Sequence, residues 1–556
     1  MLGGITENLF GGLLEDVLDW RRARHLDDLD WITRNRLKLK QRKKEFARIA
    51  GEAKRDQKNP RRVLLWGPTG WERGALEHML ALALRLRGHE VLEVSCAGGF
   101  PACSMETVLS PRPDCQSCTE RAARMRGVFP GADDSKSANE YLKPEDFSAA
   151  EAEIAALAPS DFPGHVHEGI EVGRIVARDI PQYFARHVRL DDPAIEADAR
   201  RTLVATLLYL KAALRAHREF RPDVGVVTAG MTTAYAPFYE VCRQAGTTVI
   251  GWDESYEKDS FSFSYNRVEE LFDLDPAWRV TRHEPLKPEE DAFVQGYLEK
   301  MARGRLGYNF FYPAPIRELE PIRRELGLEA GAQRVVLLTN VSWDTALSGK
   351  DLAFSSMEEW ILSTVAAIIP ARGIELILRF HPYDRNSTVT GPALLRERFP
   401  NLPRHIKIVE PQEQIQSHAL ADLADVIGVY NTSMGMELAI RGRCVVACGR
   451  PHYMGKGFTR DILKKEDWLE MITDPARFPP PRIPAEAVNL AKKYFHLLVG
   501  RSEAAFPEFR QPTRFSFELD PEEFLPGRGN RWDRLCDAVA YGGPLLDISP
   551  VRLKAE

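Results

Sequence analysis

A histidine followed by proline, His381-Pro382, comes directly after the apolar run Glu375 to Phe380 (ELILRF). Proline biases the residue before it toward extended backbone, so His381 is presented at a strand end. Arg379 and Arg385 flank it as charge-assisted donors for a phosphate. A lone strand-end histidine is more often a satisfied capping residue, and it is the neighbouring motifs that shift the reading. One strand later, residues 425–437 (DVIGVYNTSMGME) read as a strand, a hydroxyl-bearing turn and a helix start. Asn431, Thr432 and Ser433, with the unpaired N–H groups of a helix start, suit an anion. The plainer reading, Thr432 or Ser433 as N-cap, is compatible with it. Glu437, one turn in, is within reach of a ribose hydroxyl. The next strand, ending at Ala447, leads into a loop holding Gly449, Gly455 and Gly457 with Arg450, His452 and Lys456. Glycines admit a close backbone approach, and the basic side chains suit a leaving nucleotide that gains charge; the bland alternative is a surface loop.

Transfer to a hydroxyl also needs a base. Asp253 and Glu254 close a strand in residues 251–256 (GWDESY) and are the preferred candidates to take the acceptor proton, with Glu72 behind them. Trp343 suits stacking on a base or sugar. Asp344 beside it is an acid/base candidate, with capping of the following turn an equal reading. Four cysteines, Cys96, Cys103, Cys115 and Cys118, crowd into residues 95–120 among Gly and Pro. A CxxC with two further thiols nearby reads first as a closed structural zinc site, second as an iron–sulfur cluster, and otherwise as buried unligated thiols. Cys242, Cys444, Cys448 and Cys536 sit in apolar contexts and read as core thiols.

These residues need scaffolds, and the apolar pattern supplies two. Arg62 to Trp66 (RVLLW), a turn, a helix over 75–87 and a strand at 90–94 open a βαβ unit, continued by strands at 223–228 and 247–251. A polar helical stretch follows over 284–331. Strands then restart at 334–339, 375–380, 406–409, 426–429 and 444–447, with helices at 356–369, 391–399, 412–424 and 435–441 between them. Alternation of this kind gives an α/β chain of two Rossmann-like, doubly wound parallel-sheet domains facing a cleft, with ligands at the carboxyl ends of the strands. The expected boundaries are a helical N-terminal extension 1–60, a first domain 61–283 carrying the cysteine insertion, a helical linker 284–331, a second domain 332–475, and a tail 476–556.

Length and composition agree with that plan. The 556 residues exceed one hydrophobic core, and 44% apolar with 28% charged residues is a globular balance. A net charge of -5 from 75 basic and 80 acidic residues gives no global pull toward nucleic acid. The N-terminus lacks the pattern of a secretory signal, and no apolar run is long enough for a transmembrane helix. The expectation is a cytoplasmic protein, with any contact at the inner membrane peripheral; the basic stretch between Arg34 and Lys44 reads first as a solvated helix face and second as a docking surface for anionic lipid or a polymer substrate.

The succession RFHP, then NTSMGMELAIRGRCVVACGRPHYMGKGFTRD, resembles the capsule polysaccharide biosynthesis family, which includes bacterial capsular Kdo transferases. The resemblance rests on His381, Pro382, Thr432, Ser433 and Glu437, and on Gly449, Pro451, Tyr453, Gly455, Gly457 and Thr459. It covers residues 332–470. His452 and Lys456 depart from the family's hydrophobic or aromatic positions. It implies a GT-B-like fold and a glycosyltransferase whose second domain binds a nucleotide sugar, a CMP-linked acid sugar in the Kdo enzymes. The acceptor would be a glycan or glycolipid held by the first domain. Glycerophosphate transfer and sugar-nucleotide epimerisation on the same fold are the competing chemistries, and a non-catalytic assembly scaffold is the competing class.

Overall fold

The computed structural model describes residues 40–51, 59–67, 74–110, 112, 114–131, 135–257, 259–267, 274–302, 316–511, 514–515 and 519–550. Most of the expected N-terminal extension, and Glu72, lie outside them. Residues 40–51 are helical and seat Phe46 and Ile49 in the core of the first domain.

The first sheet is built on β1 (Arg62–Trp66), β2 (Glu90–Ser95), β3 (Lys136–Ser137), β4 (Val224–Thr228), β5 (Thr248–Glu254) and β6 (Ser260–Tyr265). Strand β1 is apolar throughout because both of its faces are covered. Leu64 and Trp66 enter one core, and Val63 and Leu65 the other. Helix α1 (Gly74–Leu86) covers the second face, its Leu76, Met79, Leu80 and Leu84 lying buried there. The 25-residue helix α4 (Glu196–Phe220) covers the first. Between them lie α2 (Cys115–Arg126) and α3 (Val172–Phe184).

The second sheet comprises β7 (Gln333–Leu338), β8 (Ile374–Arg379), β9 (Ile406–Val409), β10 (Val426–Val429), β11 (Val445–Ala447) and β12 (Arg460–Asp461), every pair parallel. Its spatial order, β12-β11-β10-β7-β8-β9, places the reversal of strand order between β7 and β10. Again the strand residues divide between two cores, Val335 and Leu337 in one, Val336 and Leu338 in the other. Helix α5 (Met357–Ile368) lies on the first, capped by Ser356, whose side chain accepts the Glu359 N–H. On β10 only glycine fits at 428. A Cβ there would stand 2.7 Å from Trp468, 2.8 Å from Leu337 and 3.1 Å from Trp360.

The first sheet departs from the all-parallel expectation. Its order is β13-β6-β5-β4-β1-β2-β3, and β6 and β13 (Glu503–Ala505) are antiparallel additions at one edge. The run Ser260 to Tyr265 alternates serine and phenylalanine, a period-two pattern that the sequence reading passed over. The expected strand at 247–251 in fact runs to Glu254 and turns straight back into β6.

The tail connects the two sheets. Helix α6 (Met434–Ile440) packs against α7 (Ala485–Phe495) through Met436, Ala439, Tyr494 and Phe495. The chain then passes through a π-helical segment, His496–Ser502, into β13 of the first sheet. Finally α8 (Arg531–Tyr541) buries Trp532 and Leu535 with α1.

Candidate active site

The reversal point between β7 and β10 opens a crevice at the carboxyl ends of the strands. Two asparagines close its base. The Asn431 N–H donates to Asn340 Oδ1 at 3.0 Å, and Asn431 Nδ2 donates to the Ala346 carbonyl at 2.8 Å. The loops after β7 and β10 are thereby tied to each other.

His381 stands beside them. Its backbone N–H donates to Thr339 Oγ1 at 3.2 Å, and its Nδ1 accepts the Tyr383 N–H at 3.1 Å. An Nδ1 that accepts carries no proton, so the neutral ring holds its hydrogen on Nε2. Burial, with the Arg379 charge behind it, pushes the imidazole down to about 4. His381 is therefore a neutral donor at ordinary pH rather than a cation.

At the start of α6, Thr432 Oγ1 accepts the Met434 N–H at 3.3 Å, and the Tyr453 hydroxyl donates to the Thr432 carbonyl at 2.7 Å. The Ser433 hydroxyl donates to Glu437 Oε1 at 2.9 Å, and His418 Nε2 meets the other carboxylate oxygen at 3.3 Å. From the first domain come Asp253 and Glu254 at the end of β5, with Tyr256 on the turn and Ser262 on β6. Together these residues enclose a cavity of 310 Å³ between the two sheets, lined also by Asn340, Asp344 and His452.

A second cleft, of 440 Å³, opens between the end of α3 and the second domain, and Asn340 and Asp344 line both spaces. Asp344 Oδ1 accepts the Ala346 N–H at 3.0 Å, while burial in the depth of the cleft raises its carboxyl pKa. Trp343 lines the second cleft. Its indole N–H donates to Ser387 Oγ at 2.8 Å and its ring lies tilted against Tyr383.

Of the residues singled out in the sequence, the fold gathers Asp253, Glu254, His381, Asn431, Thr432 and Ser433 around one space. Four others do not reach it. Glu437 is 3% exposed and lies beneath Ser433, so the ribose contact expected of it is replaced by bonds to Ser433 and His418. Arg379 is 2% exposed and donates to the Glu410 carbonyl at 2.7 Å, because it is the last residue of a strand buried on both faces. Lys456 pairs with Asp275 rather than facing a phosphate. Tyr453 is fully buried and braces Thr432 from below, in space that Gly435 leaves open. Pro382 begins the short turn Pro382–Asn386 and serves to set His381. His452, expected as a cation, is pushed down to about 3 by burial and by Lys350 and Lys456, and is neutral. Ser262 escaped the sequence reading because β6 did; the Ser/Phe alternation was the signal that would have found it.

The four clustered cysteines lie away from the cavity, between the end of β2 and the first turn of α2, and none of them forms a disulfide. Among the described residues no group of three or more His, Cys, Asp or Glu side chains is arranged at metal-ligand spacing. Nor is any helix among them long and apolar enough to cross a membrane.

Two Rossmann-type sheets facing one cleft, bridged by a tail that returns to the first, make this a GT-B-like α/β protein. Residues 332–479 match the family described as capsule polysaccharide biosynthesis protein, so the resemblance read from the motifs holds over the second domain. No curated protein matches the chain by sequence. Among solved structures, the Thermosulfurimonas dismutans KpsC beta Kdo 2,4 transferase is 14% identical, covering 55% of this chain and 84% of its own at a TM-score of 0.32. Spinosyn rhamnosyltransferase SpnG is 13% identical over 78% and 96%, at 0.24. The UDP-GlcNAc 2-epimerase of Neisseria meningitidis is 10% identical over 78% and 98%, also at 0.24. Likenesses this distant do not bear on the chemistry.

Proposed function

We propose that the protein is a glycosyltransferase that takes a sugar from a nucleotide-activated donor and builds a bacterial surface polysaccharide. The observation that carries this reading is the single cavity into which the first domain sends Asp253 and Glu254 and the second sends His381, Asn431, Thr432 and Ser433. Carboxylates on one side and neutral hydrogen-bond donors on the other are what transfer from a phosphate-linked sugar to a hydroxyl requires. His381 donates through Nε2, and the Asn431 amide and Thr432 hydroxyl complete the phosphate contacts, with Ser433 free to join them only by leaving Glu437. A carboxylate takes the acceptor proton as the bond forms.

The donor is a CMP-linked acid sugar. The resemblance of the second-domain motifs to the capsular Kdo enzymes motivates this choice, and so does charge. Among the described residues the cavity lining includes neither arginine nor lysine, a setting that tolerates one phosphodiester charge better than the greater charge of a nucleoside diphosphate. The glycan or glycolipid acceptor enters by the second cleft, where Trp343 offers a ring to a sugar face and Asp344 stands between acceptor and donor. The enzyme works at the cytoplasmic face of the inner membrane.

Thermal-shift measurements with CMP, CDP, UDP and GDP, on the wild type and on His381→Ala, test this reading. Stabilisation by CMP that disappears in the variant is expected. Selective stabilisation by UDP or GDP would overturn the donor assignment. Stabilisation by none of the four would leave the cavity without its nucleotide and bring forward a non-catalytic assembly role.

A further inference from the structure

Four thiols gather where β2 gives way to the loop before α2. Cys96 follows the strand, and Gly98 and Gly99 both take φ of +81°, a conformation that side-chain-bearing residues rarely adopt. This turn aims the Gly98 N–H at Cys96 Sγ, 3.1 Å away. Cys103 repeats the arrangement, accepting the N–H of Met105 two residues on. The Tyr209 hydroxyl lies 3.7 Å from Cys96 Sγ. Cys115 and Cys118 occupy the first turn of α2, three residues apart and so on one face.

The two halves meet at Gly98. A Cβ on that glycine would stand 2.9 Å from Cys115 Cβ and 3.3 Å from its Sγ. Cys96 lies within electrostatic range of Cys115 and Cys118, and Cys103 within range of Cys96 and Cys118. A backbone N–H aimed at sulfur stabilises a thiolate, and a helix N-terminus favours the same charge. A backbone donor, a helix N-terminus and a CxxC pair thus converge on one small space, the setting of a thiolate-ligated cation.

We propose that Cys96, Cys103, Cys115 and Cys118 form a structural tetrathiolate zinc site. Two loop sulfurs, each held by the amide two residues ahead, and two sulfurs from the first turn of a helix present four ligands to one divalent ion. Each thiol gives up its proton as its Zn–S bond of about 2.3 Å forms. The described thiols are not at metal-ligand spacing, so the proposal requires the first turn of α2 and the glycine loop to close on the ion. The site lies outside the donor cavity and goes beyond the transferase reading. Its consequence is local: it fixes residues 96–110, of which Arg201 holds the Pro101 carbonyl and the Glu106 carboxylate, and Ser104 Oγ meets Thr232 Oγ1 at 3.4 Å.

Element analysis of the full chain, purified without added metal, tests the proposal. About one zinc per chain is expected, released on titration with a thiol-specific mercurial. The double variant Cys115→Ser, Cys118→Ser is expected to lose the zinc and to melt several degrees lower while keeping its nucleotide response. Cobalt(II) exchanged into the wild type is expected to show sulfur-to-metal charge transfer and the intense d–d bands of tetrahedral thiolate ligation, a readout that does not require the variant to fold. Protein that carries no metal and gives no such cobalt spectrum would overturn the proposal, as would iron with acid-labile sulfide.

Discussion

At the scale of single residues, the cavity depends on neutral groups held in one protonation state. His381 keeps its proton on Nε2 because Nδ1 is occupied by the Tyr383 N–H, and burial lowers the ring from its ordinary 6.5 to about 4. Between those values the unfolded chain binds a proton that the folded chain refuses. The contribution to stability is complete above about 6.5 and is lost as pH falls toward 4. His381→Gln is accordingly expected to show a shallower fall in melting temperature over that window than the wild type; parallel curves would contradict the assignment. In the proposed reaction the base is a carboxylate at the same site. Asp253→Asn or Asp344→Asn is expected to lower kcat on the order of 10²- to 10⁴-fold while the nucleotide thermal shift survives, and the larger loss identifies the base. Activity within a few-fold of wild type in both would remove these two from the role. Asp253, His381 and the Asn431–Ser433 run were legible in the sequence because each ends a strand or opens a helix. Glu437, Arg379 and Lys456 were misplaced because one-dimensional spacing says that a side chain is near a site, not which way it points.

At the scale of elements, the hairpin of β5 and β6 carries the first domain's share of the cavity, and its turn is fastened by a residue from far along the chain. Glu503 on β13 is fully buried. It accepts the Tyr256 N–H at 3.1 Å and the Ser260 hydroxyl at 2.5 Å. Burial, the largest influence on it, pushes its carboxyl from 4.5 up to about 7. Here the folded state binds the proton more tightly, so the stabilising contribution is present below about 4.5 and lost as pH rises through 7. Glu503→Gln is expected to flatten the decline in melting temperature between those values. An unchanged slope would mean that Glu503 does not titrate there. No local pattern announces this clamp, since 243 residues separate Glu503 from Ser260.

At the scale of the whole molecule, the two sheets share one chain end. After α7 leaves the second domain, β13 joins the first sheet, and α8 seals the apolar face of α1 with Trp532 and Leu535. A chain ending at residue 495 would expose Phe261, Phe263 and the α1 face together. It is expected to lose cooperative unfolding of the first domain and to aggregate on expression; a soluble product with native melting behaviour would show the tail to be dispensable. The sequence by itself determined the two α/β halves, because strands buried on both faces must be continuous apolar runs and the crossovers between them must be helices. It also determined the identity of the ligand-edge loops, because strand ends in such sheets are where backbone groups and polar side chains become available. Only the tertiary structure decided the antiparallel edge of the first sheet, the burial of Glu437, Arg379 and Lys456, and the meeting of Asp253 with His381 across one cavity. Those depend on tertiary contacts, some of them between segments more than a hundred residues apart, and on which side of each strand end the partner domain stands.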